Sequence, residues 1–334
     1  MKPIYIKRKT RHKEEFQFFM HDFIDDCIEY GFLPKRDLFP SYKWHIRAVL
    51  RNVLWLCYSF IHNHFPRAFK WREALVVAAN GNNLVDNSFP YWGSYEIVPF
   101  LWDCWPSSWP RMLESFKMLD VSTVMVSSSQ VADMINNTTD IKVCWIPEGI
   151  RSSLYSKGRT LAERRHDVFE LGRQHPRYHQ VLLKLKSDGL VNDLLTSNIT
   201  AEGALDDKKV AYTNEEMRAL MSDSKEMVCF PQSDTNPNRA GGIETLTQRY
   251  WEAMLSRCVM LGRAPKELVD LIGYNPVIDV DWDKPEEQMQ EILSGIECYQ
   301  ELVDRNLESA LKYADWSGRL PVITEFLNGQ GYKI

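Results

Sequence analysis

Gly241-Gly242-Ile243-Glu244-Thr245-Leu246-Thr247-Gln248-Arg249-Tyr250-Trp251-Glu252-Ala253-Met254 is the stretch on which the reading of the fold turns. Seven residues separate Glu244 from Glu252. A helix running from Glu244 to Ser256 would carry the two glutamates two turns apart on nearly one face. Gly241 and Gly242 allow close approach of the backbone, and the N–H groups of Thr245, Leu246 and Thr247 would then point out of the first turn. That arrangement suits a diphosphate. A carboxylate beside a diphosphate is unfavourable on charge, so Glu244 reads as an acceptor for sugar hydroxyls and Glu252 as an acceptor for the two hydroxyls of a ribose. Read from the residues alone, an ordinary helix start with Glu244 on the dipole and Glu252 in solvent stays open beside it.

The stretch resembles the donor-site signature of nucleotide-sugar glycosyltransferases of the GT-B fold, in the mostly retaining family whose motif is Glu, seven residues, Glu, Ala and an apolar residue. Glu244, Glu252, Ala253 and Met254 match it, and Cys258-Val259-Met260-Leu261-Gly262 follows where that family has a short strand. Further segments fit the same pattern. Val168-Phe169-Glu170-Leu171-Gly172-Arg173 is similar to the strand that opens the donor domain, and the resemblance gives Gly172 and Arg173 to the donor diphosphate. The lysine expected shortly after is replaced near Tyr178, and Arg177 is the substitute, with a guanidinium fork that matches phosphate oxygens. Val143 to Ile150 resembles the exit from the first domain, with Pro147 ending the extended run and Gly149 permitting a turn. Met227-Val228-Cys229-Phe230 reads as a buried strand ending at Pro231, and Asp315-Trp316-Ser317-Gly318-Arg319 resembles a late helix of the superfamily.

The resemblance implies an α/β chain of two Rossmann-like domains facing each other across a cleft. Residues 1–150 would form an acceptor-binding domain with a basic, aromatic helical N-terminal region, 151–315 a nucleotide-sugar-binding domain, and 316–334 a helix crossing back to the first. It further implies a UDP- or GDP-sugar as co-substrate, no tightly bound cofactor and no metal, with the nucleobase met between Val210 and Glu216. Retention would need no protein nucleophile. Arg173, Arg177 and the amides after Glu244 would stabilise the leaving diphosphate electrostatically. A catalytically silent glycan- or partner-binding protein and a sugar-nucleotide epimerase of the same fold are the competing readings.

Composition permits two domains: 334 residues exceed what one core usually serves, and 44% hydrophobic and 25% charged residues are ordinary globular values. Seven cysteines, odd in number and without CxxC spacing, read as reduced, buried thiols of a cytoplasmic protein. The first residues lead into a charged segment, so no secretory signal is expected. Residues 1–72 hold 14 Lys or Arg against 7 Asp or Glu, while the remaining 262 residues hold 26 against 38. A basic, aromatic N-terminal region with Tyr42, Lys43, Trp44, Arg47, Arg51, Trp55 and Arg67 suits peripheral contact with the inner membrane face and a lipid-linked glycan acceptor. A packed helix with its basic face in solvent is the plainer alternative. The acidic whole chain and the lack of regularly interleaved aromatics argue against nucleic acid.

Alternation of apolar runs with helical patterns supports a doubly wound chain. Strands are expected at Ala74–Ala79, Ile97–Trp102, Thr123–Val126, Val143, Val168, Val228, Val259 and Val277–Val280. Acceptor contacts belong beyond the strands' carboxyl ends, at Asn80–Asn83, Trp102-Asp103-Cys104-Trp105 and Ser127–Ser129. Asp103, between two indoles that stack on sugars and shield a carboxylate from water, is the candidate base should the reaction invert. The same aspartate as a helix cap is equally compatible. The Tyr91–Tyr95 loop is a further stacking surface.

Overall fold

The computed structural model describes residues 1–9, 18–38, 44–65, 69, 71–170, 172, 174–196 and 212–334, without the side chains of 18 and 44–46. Leu171, Arg173, Tyr42, Lys43, Arg67 and Val210 lie outside the described residues, as does the side chain of Trp44. The chain divides into two compact units, Met1–Pro147 with Trp316–Ile334, and Glu148–Asp315.

The first unit is built on a parallel sheet of β1 (Lys2–Arg8), β2 (Leu33–Arg36), β3 (Ala74–Asn80), β4 (Glu96–Trp102), β5 (Thr123–Val126), β6 (Lys142–Trp145) and a late strand, Tyr332–Lys333. β3 and β4 are almost wholly buried, as near-continuous apolar runs covered on both faces should be. The late strand lies beside β1, with Lys2 opposite Tyr332, and β1 pairs along its length with β2 and β3. The helix Phe18–Tyr30 covers one face through Phe23, whose ring lies 4.7 Å from Phe100, 5.5 Å from Trp102 and 4.9 Å from Trp316. Trp316, Leu320, Ile323 and Leu327 thus complete this core from the far end of the chain.

In the second unit β7 (His166–Glu170), β8 (Leu194–Thr196), β9 (Ser224–Cys229), β10 (Val259–Gly262) and β11 (Ile278–Asp279) form a parallel sheet in the order β11-β10-β9-β7-β8. Phe169, Met227, Cys229 and Met260 pack on one face with Tyr250, Trp251 and Met254 of the helix Gln248–Leu255. Val168, Val228, Val259 and Leu261 pack on the other with Tyr178, Leu182 and Leu185 of the helix Pro176–Ser187. That alternation is the two-residue period of a strand buried on both sides. At Gly262, φ is +148° and an added methyl would fall 2.0 Å from the Cys229 carbonyl oxygen, so β10 leaves the sheet here only as glycine. The cysteines are all free; Cys27, Cys104, Cys229 and Cys258 are buried, whereas Cys57 and Cys298 are exposed, unlike the wholly buried set expected.

One buried acid has no counterpart in the sequence reading. Glu226 of β9 is fully buried, and among the described residues neither carboxylate oxygen has a hydrogen-bond partner. Burial, reinforced by Asp167, holds its carboxyl well above the usual range and so favours the protonated form. A carboxyl raised on folding stabilises the fold fully below its unfolded value of 4.5, and that contribution is lost as pH rises from there. Glu226→Gln, which cannot ionise, should therefore be more stable than the wild type at pH 8, with the difference shrinking as pH falls toward 4.5; urea-unfolding midpoints across pH measure it, and a gap independent of pH would contradict a protonated Glu226.

Candidate functional site

In the second unit the sheet order puts β8 on one side of β7 and β9 on the other. Such a reversal opens a crevice beyond the strands' carboxyl ends, where open α/β sheets bind ligands. Phe169 pairs with Met227, and Met227 with Met260, so Gly172, Phe230 and Arg263 each follow three residues later and leave the sheet at one edge.

Arg263, which sequence reading passed over, organises this edge. Its Nε and Nη2 donate to the two oxygens of Asp234 at 2.7 and 2.7 Å, Nη2 also to Ser233 Oγ at 3.1 Å, and Nη1 to Glu244 Oε1 at 2.6 Å. The Asp234 bond and its charge hold the guanidinium firmly protonated. The signal for it was present: Leu261-Gly262-Arg263, at the end of β10, repeats the Leu171-Gly172-Arg173 that follows β7 in the sequence.

The helix does not begin at Glu244. It runs from Gln248 to Leu255 with extended Thr247 as its N-cap, so Glu244 lies on the incoming segment and does not share a helical face with Glu252. The cause is competition for the segment's polar groups. The Leu246 N–H donates to buried Glu267 Oε2 at 2.8 Å and is not turned toward a ligand, while Glu244 is drawn to Arg263 and, at 3.5 Å, to the Lys266 N–H. Thr245 is buried, and Thr247 adjoins the helix start.

Glu252 lies one turn inside the helix, accepting from the Tyr155 hydroxyl at 3.0 Å. Burial raises its carboxyl pKa against the opposing pull of that bond, Arg249 and Arg218. Arg249, the helix's second residue, lies so close to Gly172 that a methyl there would overlap the guanidinium, and φ at Gly172 is +73°. At Gly242 no described residue lies within 4 Å of an added methyl. Arg177 is exposed and turned to Trp282, donating to its carbonyl at 2.9 Å with the guanidinium 4.7 Å from its ring centre. His175 caps the same helix, accepting from the Tyr178 N–H at 3.2 Å, and burial lowers its pKa. Gln174 Nε2 and both side-chain polar atoms of Gln232 are buried without partners among the described residues, at the ends of β7 and β9. Among the described residues no group of three or more His, Cys, Asp or Glu side chains is disposed to hold a metal ion.

In the first unit Asp103 follows β4 with φ at +49°, a left-handed conformation uncommon outside glycine and asparagine-like residues. Among the described residues neither Trp105, before the turn Pro106–Ser108, nor Ser108, before the helix Trp109–Met118, makes a side-chain cap. The flanking indoles are not stacking surfaces: Trp102 is fully buried against Phe100 and Phe23, and Trp105 is buried too. Trp92 of the Tyr91–Tyr95 loop is likewise core, donating to the Val85 carbonyl at 2.9 Å. At the end of β3 the Asn80 N–H donates to Asn83 Oδ1 at 2.8 Å, while Asn80 Oδ1 and, after β5, Ser128 Oγ are buried without partners among the described residues.

No protein-family model matches the chain. No curated protein matches it either. Among solved structures it is similar to HepE of Anabaena in complex with UDP and glucose, at 12% identity and TM-score 0.63, over 98% of this chain and 100% of that one. AviGT4, a glycosyltransferase involved in avilamycin A biosynthesis, aligns at 12% identity and TM-score 0.56, over 98% of this chain and 97% of its own. TarM aligns at 13% identity and TM-score 0.56 over 82% of this chain, which spans 58% of the TarM chain. The fold is GT-B, as the sequence resemblance led one to expect.

Gly242 separates a ligand role from a folding role. Its φ is not in the left-handed region and no described residue crowds an added methyl, so Gly242→Ala should leave the unfolding free energy within about 0.5 kcal/mol of wild type. If a phosphate approaches that backbone, the same methyl should weaken UDP or GDP binding about tenfold or more, read by calorimetric titration. Unchanged nucleotide affinity would move the ligand away from the Gly241-Gly242 turn.

Proposed function

We propose that the protein is a glycosyltransferase that moves a sugar from a nucleoside-diphosphate sugar to a hydroxyl of a glycan or lipid-linked glycan, with retention. The observation that carries this reading is Glu244, fixed by Arg263 at the switch-point edge beside the Gly241-Gly242 turn. A GT-B fold similar to that of a protein solved with UDP and glucose supports it.

In this reading Glu244 accepts from hydroxyls of the transferred sugar, and Glu252 from those of the ribose. A carboxylate already oriented by a guanidinium needs little ordering when the sugar arrives. The diphosphate is met by Arg173, by Arg249 beside Gly172, and by the helix start at Thr247 and Gln248 rather than by the Leu246 amide. Arg177 is a weaker contributor, since Trp282 holds it. As the bond from the anomeric carbon to the diphosphate breaks, the leaving oxygen takes the proton of the acceptor hydroxyl, whose oxygen forms the new glycosidic bond on the same face. Most of the rate enhancement is then electrostatic stabilisation of the leaving group. Should the configuration invert, Asp103 is the base. The donor is a UDP- or GDP-sugar. A lipid-linked acceptor brings the enzyme to a membrane surface at the inner face.

Calorimetric titration with UDP and GDP tests the donor site without knowledge of sugar or acceptor. One nucleotide should bind in the micromolar range, and Glu252→Ala should weaken it about tenfold. Glu244→Ala should change binding of the bare nucleotide by no more than about twofold, yet slow release of nucleotide from the matching sugar donor by about a hundredfold. Equal and negligible effects of both changes on folded protein would remove the assignment.

A further inference from the structure

The helix Trp44–His64 is amphipathic the wrong way round for a soluble protein. Its polar and aromatic side is the one that packs: Arg51 pairs with Asp86, His62 Nε2 lies 2.9 Å from Asp120, Tyr58 donates to the Met118 carbonyl at 3.0 Å, and the Trp55 ring lies 4.9 Å from that of Trp92. The opposite side is apolar and open. Val49, Val53, Leu56 and Phe60 are 65%, 53%, 70% and 59% exposed, and at 100° per residue they fall within an arc of about 60°. A contiguous apolar face of this kind marks a surface that is covered in use.

Charge selects what covers it. Residues 38–72 contain six Lys or Arg and no Asp or Glu, within a chain whose net charge is −5. Arg47 and Arg51 pair with Asp37 and Asp86, which leaves four further cations in the segment and no acid of its own to offset them, so like-charge repulsion opposes two copies meeting there. An anionic lipid leaflet accepts both features: the apolar side chains enter the boundary between headgroups and acyl chains while the flanking Lys43, Arg67, Lys70 and Arg72 in the sequence favour negative headgroups. Among the described residues no helix is long and apolar enough to cross a membrane, so this helix would lie on the surface. We propose that the Val49-Val53-Leu56-Phe60 face of the Trp44–His64 helix docks the protein on an anionic lipid surface.

The full chain should sediment with vesicles of equal phosphatidylglycerol and phosphatidylcholine, and at least about tenfold more weakly with phosphatidylcholine alone or at 1 M salt (about a 3 Å Debye length). Val53→Glu with Leu56→Glu changes only exposed positions, so the unfolding midpoint should hold while affinity for the anionic vesicles falls about tenfold or more. Equal binding by wild type and variant, or no binding of wild type to anionic vesicles, overturns the proposal. So does a wild-type dimer, seen by light scattering, that Leu56→Glu turns into a monomer, because the face would then belong to a second copy. The salt and lipid comparisons need no variant, and vesicle binding needs no nucleotide, so failure here is distinguishable from failure of the donor-site reading.

Discussion

Arg263 holds both ends of the loop between β9 and the helix Gln248–Leu255. Asp234 belongs to the loop's first part and Glu244 to its last, and the one guanidinium bonds both. A planar fork with five donors can satisfy two carboxylates at fixed angles, which a lysine cannot. Glu267 then takes the Leu246 amide, and the helix is left to start at Gln248. The position of the Glu244 carboxylate and the direction of the Gly241-Gly242 turn both follow from that pair of anchors. Gly262 is part of the same constraint, since Arg263 reaches the edge only because β10 passes tightly over the Cys229 carbonyl, with the Arg263 N–H donating to that oxygen at 2.9 Å.

The two parallel sheets were legible because strands buried on both faces leave continuous apolar runs such as Leu75 to Ala79 and Met227 to Phe230. β1 was not, because Lys-Pro-Ile-Tyr-Ile-Lys-Arg carries three cations in seven residues, and nothing local shows that Lys7 is buried. Its ammonium donates to the carbonyls of Asn87 and Phe89 at 2.6 and 2.7 Å, groups some 80 residues away. The glutamates of the donor-site stretch were legible as a pair by spacing, yet their setting was not. Arg263 and Glu267 lie 19 and 23 residues beyond Glu244, so the true helix start depends on side chains outside any local window. Aromatic residues misled for a related reason: Trp92, Trp102 and Trp105 look like stacking surfaces in sequence, and only their packing reveals them as core.

Local and tertiary preferences thus part company at two places, and both are functional candidates. One is the segment Ile243–Thr247, which gives up helix for bonds to Arg263 and Glu267. The other is the helix Trp44–His64, which spends its ion pairs inward and its valines and leucines outward. Consistency across levels is the rule for folded chains, and departures from it concentrate where a sequence answers to something besides its own stability.

The first unit is not contiguous in sequence: Trp316 sits among Phe23, Phe100 and Trp102, and Tyr332 donates to Glu96 at 2.8 Å across 236 residues. On the ribosome this imposes an order. Everything that the second unit needs, through Asp315, has been made before the tryptophan that closes the first unit's core emerges. At synthesis rates of roughly 5–20 residues per second, the first unit must wait about ten seconds or longer with part of its aromatic core uncovered. Residues 1–147 are therefore translated before the second unit and yet completed after it, with aromatic surface exposed in the interval.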